Sequence, residues 1–184
     1  MAEPRFIVFD NETTGLTVHQ ASDVSRQPRI IEFAAILTDG REVLETFEQL
    51  INPMMVLEDI ITKITGLTNE DLDGQPLFRD VYPKIGEFFA KGDYYIAHNM
   101  SFDRALLKYD LQRCGKTLAD INFTGRPICT VEETMPAFGR RMKLSELYEM
   151  YCGPYEQKHR ALDDIMLLHE VCKKIGLYES LGAK

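Results

Sequence analysis

The 184-residue chain has no apolar run approaching the roughly 20 residues that a membrane-spanning helix needs, so no such span is expected. Its amino terminus lacks the basic region, apolar stretch and small-residue cleavage site of a secretory signal, which makes the cytoplasm the expected compartment. Cysteine is sparse. Cys114, Cys129, Cys152 and Cys172 contain no C-x-x-C pair, which argues against a zinc site or a disulfide framework and predicts four reduced, mostly buried thiols. Positive charge is also in short supply: 21 Lys and Arg face 29 Asp and Glu, a formal net charge of -8. A surface of that sign does not attract nucleic acid as a whole, so a polyanionic ligand must be held locally, over a few residues and in a salt-sensitive way. Internal repeats, low-complexity tracts and Pro/Gly/Ser-rich linkers are absent, and the length suits one domain over residues 1–184.

What is present is an ordinary globular composition, 45% hydrophobic and 27% charged, arranged in alternating short strands and amphipathic stretches. Residues 5–11 read as a first strand, "RIIEFAAILTDG" (29–40) as a second ending at an Asp-Gly turn, and residues 42–51 as a third, together an antiparallel meander. Helices follow over 57–65, from Thr68, and over 78–91. "YYIAHN" (94–99) reads as a buried strand and residues 101–114 as a helix whose stripe is Phe102, Ala105, Leu106 and Tyr109. Residues 116–142 carry little pattern beyond a short strand around Ile128, and helices are expected over 143–151 and 160–175. Strand, helix and strand in succession favour parallel additions to the sheet.

Three stretches carry chemistry. In "FIVFDNETTG" four hydrophobes lead into Asp10 and Glu12, which alternation places on one face at the carboxyl end of a central strand, where open α/β sheets present ligands. Two like charges side by side need a cation between them, and a divalent metal is the usual one. Thr13, Thr14 and Gly15 form a tight turn whose backbone N–H groups face a phosphate or terminal sugar. In "AHNMSFD" a strand ends at His98 and Asn99 and a helix begins with Asp103 in its first turn, where a carboxylate is favoured. In "KHRALDDIMLLHEV" the stripe Ala161, Ile165, Leu168, Cys172 and Ile175 separates two neighbouring acids: Asp164 lies about 60° from its centre and Asp163 about 160° away. Asp164 therefore borders the buried side, and His159 stands at the helix start. His19 and His169 have no comparable context. Oxygen-only ligands suit Mg²⁺ or Mn²⁺, and a pair of such ions is the known arrangement for attack of water on a phosphodiester.

In order and spacing these three motifs resemble the DEDDh group of 3′-to-5′ exonucleases, which includes the proofreading ε subunit of bacterial replicative DNA polymerase. The likeness runs from about residue 5 to 175, through "RIIEFAAI" and "ITGLTNEDL". It implies an RNase H-like α/β fold, with a mixed five-stranded sheet of a three-stranded meander plus two parallel strands, flanked by helices. It implies a two-metal site, with Asp10 shared by both ions, Glu12 and Asp164 on the nucleophile side, Asp103 on the other, and His159 as general base. Thr13, Thr14, Gly15 and Leu16, with His98, Asn99 and Phe102, would line the pocket for a 3′-terminal nucleotide. Two positions depart from the family: Asn11, where an apolar residue or threonine is usual, and Thr65, where proofreading members often have histidine. Alternation points Asn11 away from the metals, toward a hydrogen bond on the opposite face. The activity expected is release of nucleoside 5′-monophosphates from the 3′ end of DNA, most readily from single strands. RNA trimming by the same chemistry and a catalytically silent nucleic-acid-binding module are the alternatives. The short stretch after residue 176 favours a free-standing nuclease over a tethered subunit, and leaves a DNA polymerase or repair partner and a homodimer open.

Overall fold

The computed structural model describes residues 3–18, 23–155 and 159–183; His19 lies outside them. Strand β1 (Phe6–Thr13) is the middle of a five-stranded sheet of order β3-β2-β1-β4-β5. It pairs antiparallel with β2 (Ile30–Thr38), which pairs antiparallel with β3 (Val43–Leu50). On its other side it runs parallel to β4 (Tyr94–Ala97), which runs parallel to β5 (Arg126–Cys129). This is the mixed sheet expected from the sequence. β1 reaches two residues beyond the expected end because the β2 partner extends along "NET", from Asn11↔Phe33 to Thr13↔Ile30.

Short helices α1 (Asp59–Thr65) and α2 (Asn69–Leu72) lead into α3 (Phe78–Phe89), and α4 (Met100–Arg113) follows β4. Helices α5 (Thr130–Phe138), α6 (Leu144–Tyr151), α7 (Ala161–Lys174) and α8 (Leu177–Ser180) complete the chain. Alternation along β1 divides the core between the two faces of the sheet. Ile7 and Phe9 pack with residues of α3 and α4, whereas Phe6 and Val8 pack with Ala161, Ile165, Leu168 and Cys172 of α7. Asp10 and Glu12 continue the row of Phe6 and Val8, and so point to the α7 side.

Two expectations need correction. The buried residues of α4 are Met100, Asp103, Leu106, Leu107, Asp110 and Leu111, so the inward face is turned by about one position from the stripe through Phe102, Ala105 and Tyr109. The reason is chemical: two acids occupy the inward face, and an apolar count passes over them. Asp110 is matched there by the Ile30 N–H at 2.8 Å and Arg113 at 2.6 Å. Residues 116–142 contain a whole helix, α5, that the sequence pattern concealed; Pro136 lies inside it. Of the four thiols, all free, Cys129 and Cys172 are buried while Cys114 and Cys152 are half-buried. Among the described residues no helix is long and apolar enough to cross a membrane.

Candidate active site

β1 and β4 stay paired only through Val8↔Ile96, so the carboxyl half of β1 has an open flank. The chain leaves β4 and turns at Asn99, whose backbone is left-handed (φ 73°), a conformation asparagine tolerates better than most residues. α4 begins at Met100, which sets Asp103 in its first turn beside the end of β1. From the opposite face α7 brings Asp164. One carboxylate oxygen from each of Asp10, Glu12 and Asp164 lies within 4.8 Å of the others. Asp103 stands outside that trio but beside it: it is buried, feels the charge of Asp10, and accepts a hydrogen bond from Asn11 Nδ2 at 3.0 Å. The bond that alternation predicts for Asn11 thus exists on the far face, and its partner is one of the candidate ligands.

The crowding shows in the acidities. Burial, then the Asp164 charge, pushes Asp10 up to about 7. Burial, then Asp10 and Asp164, pushes Glu12 up to about 9, and burial with Asp163 raises Asp164 to about 6. Burial and Asp10 raise Asp103 well above the usual carboxylate range. The Asp164 Oδ1 atom is buried with no hydrogen-bond partner. An orphaned oxygen in a set of oxygen-only donors, each made reluctant to ionise by the others, is the environment that a hard divalent cation fits.

These shifts set a pH dependence of stability. Carboxyls whose folded pKa lies above the unfolded one stabilise the protein fully below about pH 4, and that contribution drains away as the pH rises through about 6, 7 and 9. In EDTA the melting temperature should therefore fall between pH 5 and pH 9, and added Mg²⁺ should raise it more at pH 9 than at pH 5. Thermal melts at the two pH values, with and without metal, check this; a metal-free protein that gains stability over that range would sink the crowded-acid account.

Glu32 is the acid that the motifs did not single out. It lies opposite Glu12 in the β1–β2 register and is fully buried. Arg160 holds it, although its charge still adds to the raised pKa values of Asp10, Glu12 and Asp164: Nε reaches both carboxylate oxygens at 3.0 and 3.1 Å, Nη2 reaches Oε1 at 2.6 Å, and the Ala161 N–H reaches Oε2 at 3.1 Å. The sequence signal was an acid inside an apolar strand, "IIEFAA". This clamp seats the start of α7 on β2. His159 immediately precedes it with φ 48°, and the Asp164 N–H is bonded to the Arg160 carbonyl at 3.0 Å, so one ion pair locates both residues. Arg160→Met should cost about 3 kcal/mol, the low end for a broken buried pair because the guanidinium keeps 37% exposure. The double change Glu32→Leu, Arg160→Met should restore most of that in urea denaturation.

The remaining expected site residues mostly shape the rim. Thr13 Oγ1 donates to the Gly15 carbonyl (2.6 Å) and accepts from its N–H (2.9 Å). The Thr14 N–H is bonded to the Arg29 carbonyl at 2.9 Å, and its hydroxyl accepts from the Arg29 N–H at 3.0 Å. The Thr14 and Gly15 N–H groups that the turn was expected to offer are thus used within the protein, while Leu16 stands 83% exposed. Both ring nitrogens of His98 are engaged, Nδ1 with the Thr130 hydroxyl (2.9 Å) and Nε2 with the Met142 carbonyl (3.1 Å). His98 therefore holds loop 139–143 in place. Asn99 accepts from Arg141 (2.9 Å) and Ser101 (3.3 Å), and half-buried Phe102 packs on the core. Thr65 is buried and bonds within its own helix, to the Ile61 carbonyl at 2.9 Å. His169 is buried against the Tyr178 hydroxyl at 2.7 Å.

A mixed five-stranded sheet with flanking helices, bearing clustered carboxylates at the end of its central strand, is an RNase H-like nuclease fold. The nuclease domain of 3′hExo, a DEDDh family member bound to rAMP, superposes with a TM-score of 0.78 at 19% identity, over 98% of this chain and 94% of that one. The chain belongs to the exonuclease family: residues 7–172 match the RNase_T family model, described as Exonuclease. It is 31% identical over 185 residues to a PolC-type DNA polymerase III of Caldanaerobacter subterraneus subsp. tengcongensis; the match covers 99% of this chain and 12% of that relative, a small part of its length. It is 30% identical over 173 residues to the DNA polymerase III subunit epsilon of Aquifex aeolicus, covering 92% and 79%.

Proposed function

We propose that the chain acts as one exonuclease domain that removes nucleotides from the 3′ end of DNA, most readily from single strands, and releases nucleoside 5′-monophosphates. The observation that carries this reading is the carboxylate trio within 4.8 Å, with Asp103 beside it, at the open end of the central strand of an exonuclease-family chain. Asp10, Glu12, Asp103 and Asp164 would hold Mg²⁺ or Mn²⁺, two ions to the site. Bound there, the ions would make a water acidic and offset charge on the scissile phosphate. His159 would accept the proton of the attacking water as general base. Leu16 would pack against the terminal base, with the Thr13–Thr14–Gly15 turn fixing its position.

The names of the polymerase relatives favour DNA, and suggest a polymerase or repair assembly as partner. The neighbour bound to rAMP favours RNA trimming as the second reading. Matched 5′-labelled oligomers of single-stranded DNA, mismatched-end duplex and RNA, incubated with Mg²⁺ or Mn²⁺, separate the two. The expected result is progressive shortening of the DNA single strand from its 3′ end, stopped by EDTA. Faster loss of the RNA would transfer the assignment to the second reading, and shortening from the 5′ end would overturn both.

A further inference from the structure

We infer that the outer face of α4 is a binding track for the phosphate backbone of the strand upstream of the 3′ end. The inference rests on the exonuclease reading above and specifies where the rest of the substrate lies. The chain carries -8 net charge, and this face runs against that balance. The acids of α4, Asp103 and Asp110, are both buried, which leaves Arg104 and Lys108 as its exposed charges. Neither forms an ion pair or side-chain hydrogen bond among the described residues, and they stand four apart, one turn of helix.

Their groove, about 660 Å³, runs along Ser101, Arg104, Lys108 and Gln112 to Lys116 and Thr117, and no acidic side chain lines it. Its cations, hydroxyl and amide groups stand over an apolar floor of Ala105, Leu118 and Ala119, and since Lys116 is paired with Asp120 at 3.5 Å, Arg104 and Lys108 are the cations left to meet phosphates. From Ser101 to Gln112 the helix rises about 16 Å, the axial length of roughly five stacked nucleotides. The groove also connects to the candidate site. Ser101 at its head is bonded to Asn99, which also accepts from Arg141, and it lies in the first turn of α4, the turn that carries Asp103 on its inward side. A strand whose 3′ end lies at the carboxylates therefore meets Arg141 and Ser101, then Arg104 and Lys108. Charge complementarity makes the occupant a polyanionic strand.

The test compares wild type with Arg104→Gln/Lys108→Gln on two substrates: the p-nitrophenyl ester of thymidine 5′-monophosphate, which has no upstream strand, and a 12-nucleotide single-stranded DNA. The ratio of kcat/KM for the 12-mer to that for the ester should fall about tenfold in the variant. Binding of the 12-mer in EDTA, followed by fluorescence anisotropy, should weaken about tenfold, and the slope of log affinity against log salt should flatten by about 1.4, roughly 0.7 for each phosphate that the variant no longer neutralises. An unchanged ratio and an unchanged slope would overturn the track. If wild-type protein fails to hydrolyse either substrate, the exonuclease reading falls, and the track is then decided by the EDTA isotherm alone, where equal affinity of variant and wild type refutes it.

Discussion

Asp10→Asn is expected to lower turnover on single-stranded DNA by roughly 10³-fold or more, while leaving the metal-free protein at least as heat-stable as the wild type. Asp10 is where the repulsions meet: its charge is the leading electrostatic cause of the raised pKa values of Glu12 and Asp103, and it feels Asp164 in turn. Asparagine keeps the shape and removes the charge, so neighbouring carboxyls ionise more readily and the apo site relaxes. Activity and apo stability therefore move in opposite directions, a combination that damage to the fold does not produce. Melting curves in EDTA and in Mg²⁺ read both halves, because the rise in melting temperature brought by metal should shrink in the variant. Full activity, or an apo protein that melts several degrees lower, would sink the assignment of Asp10 to the metal site.

His159→Ala should reduce turnover by roughly 10²- to 10⁴-fold, the span for loss of a positioned general base, with the metal-dependent rise in melting temperature preserved. The residue stands outside the carboxylate trio, just ahead of the Arg160–Glu32 clamp that seats the first turn of α7. Removing the imidazole leaves that clamp and Asp164 in place, so metal affinity and chemistry come apart. Asp163→Ala serves as the comparison on the same turn and should stay within a few-fold of wild type, because its carboxylate is not one of the trio. A His159→Ala protein that is as active as wild type, or an inactive Asp163→Ala, would contradict the roles derived from the start of α7.

Periodicity made much of this legible along the chain. Period-two alternation put Asp10 and Glu12 on one face, because side chains on a strand must alternate whatever lies beyond it. The 100° step of a helix separated Asp164 from Asp163, since it sets them about 60° and 160° from the centre of the buried stripe. The same step misplaced the stripe of α4, where Asp103 and Asp110 face inward and break the assumption that the inward side is apolar. Concealment of α5 has a related origin: Pro136 and the threonines Thr130 and Thr134 weaken its helical pattern, and its packing in the fold settles its structure.

Local pattern thus sufficed for the strands, for the longer helices other than α5 and for the motifs bearing the candidate acids, because each follows from neighbours a few residues apart. Pairings across long stretches of chain were beyond it. Glu32 meets Arg160 across 128 residues, and that ion pair gives one buried acid a cation of its own and seats α7. Asn11 meets Asp103 across 92 residues, which joins the residue that strand alternation had pointed away from the site to one of its candidate ligands. Which acid finds a cation and which is left to crowd its neighbours depends on where helices land on a sheet, and side-chain periodicity carries no term for that.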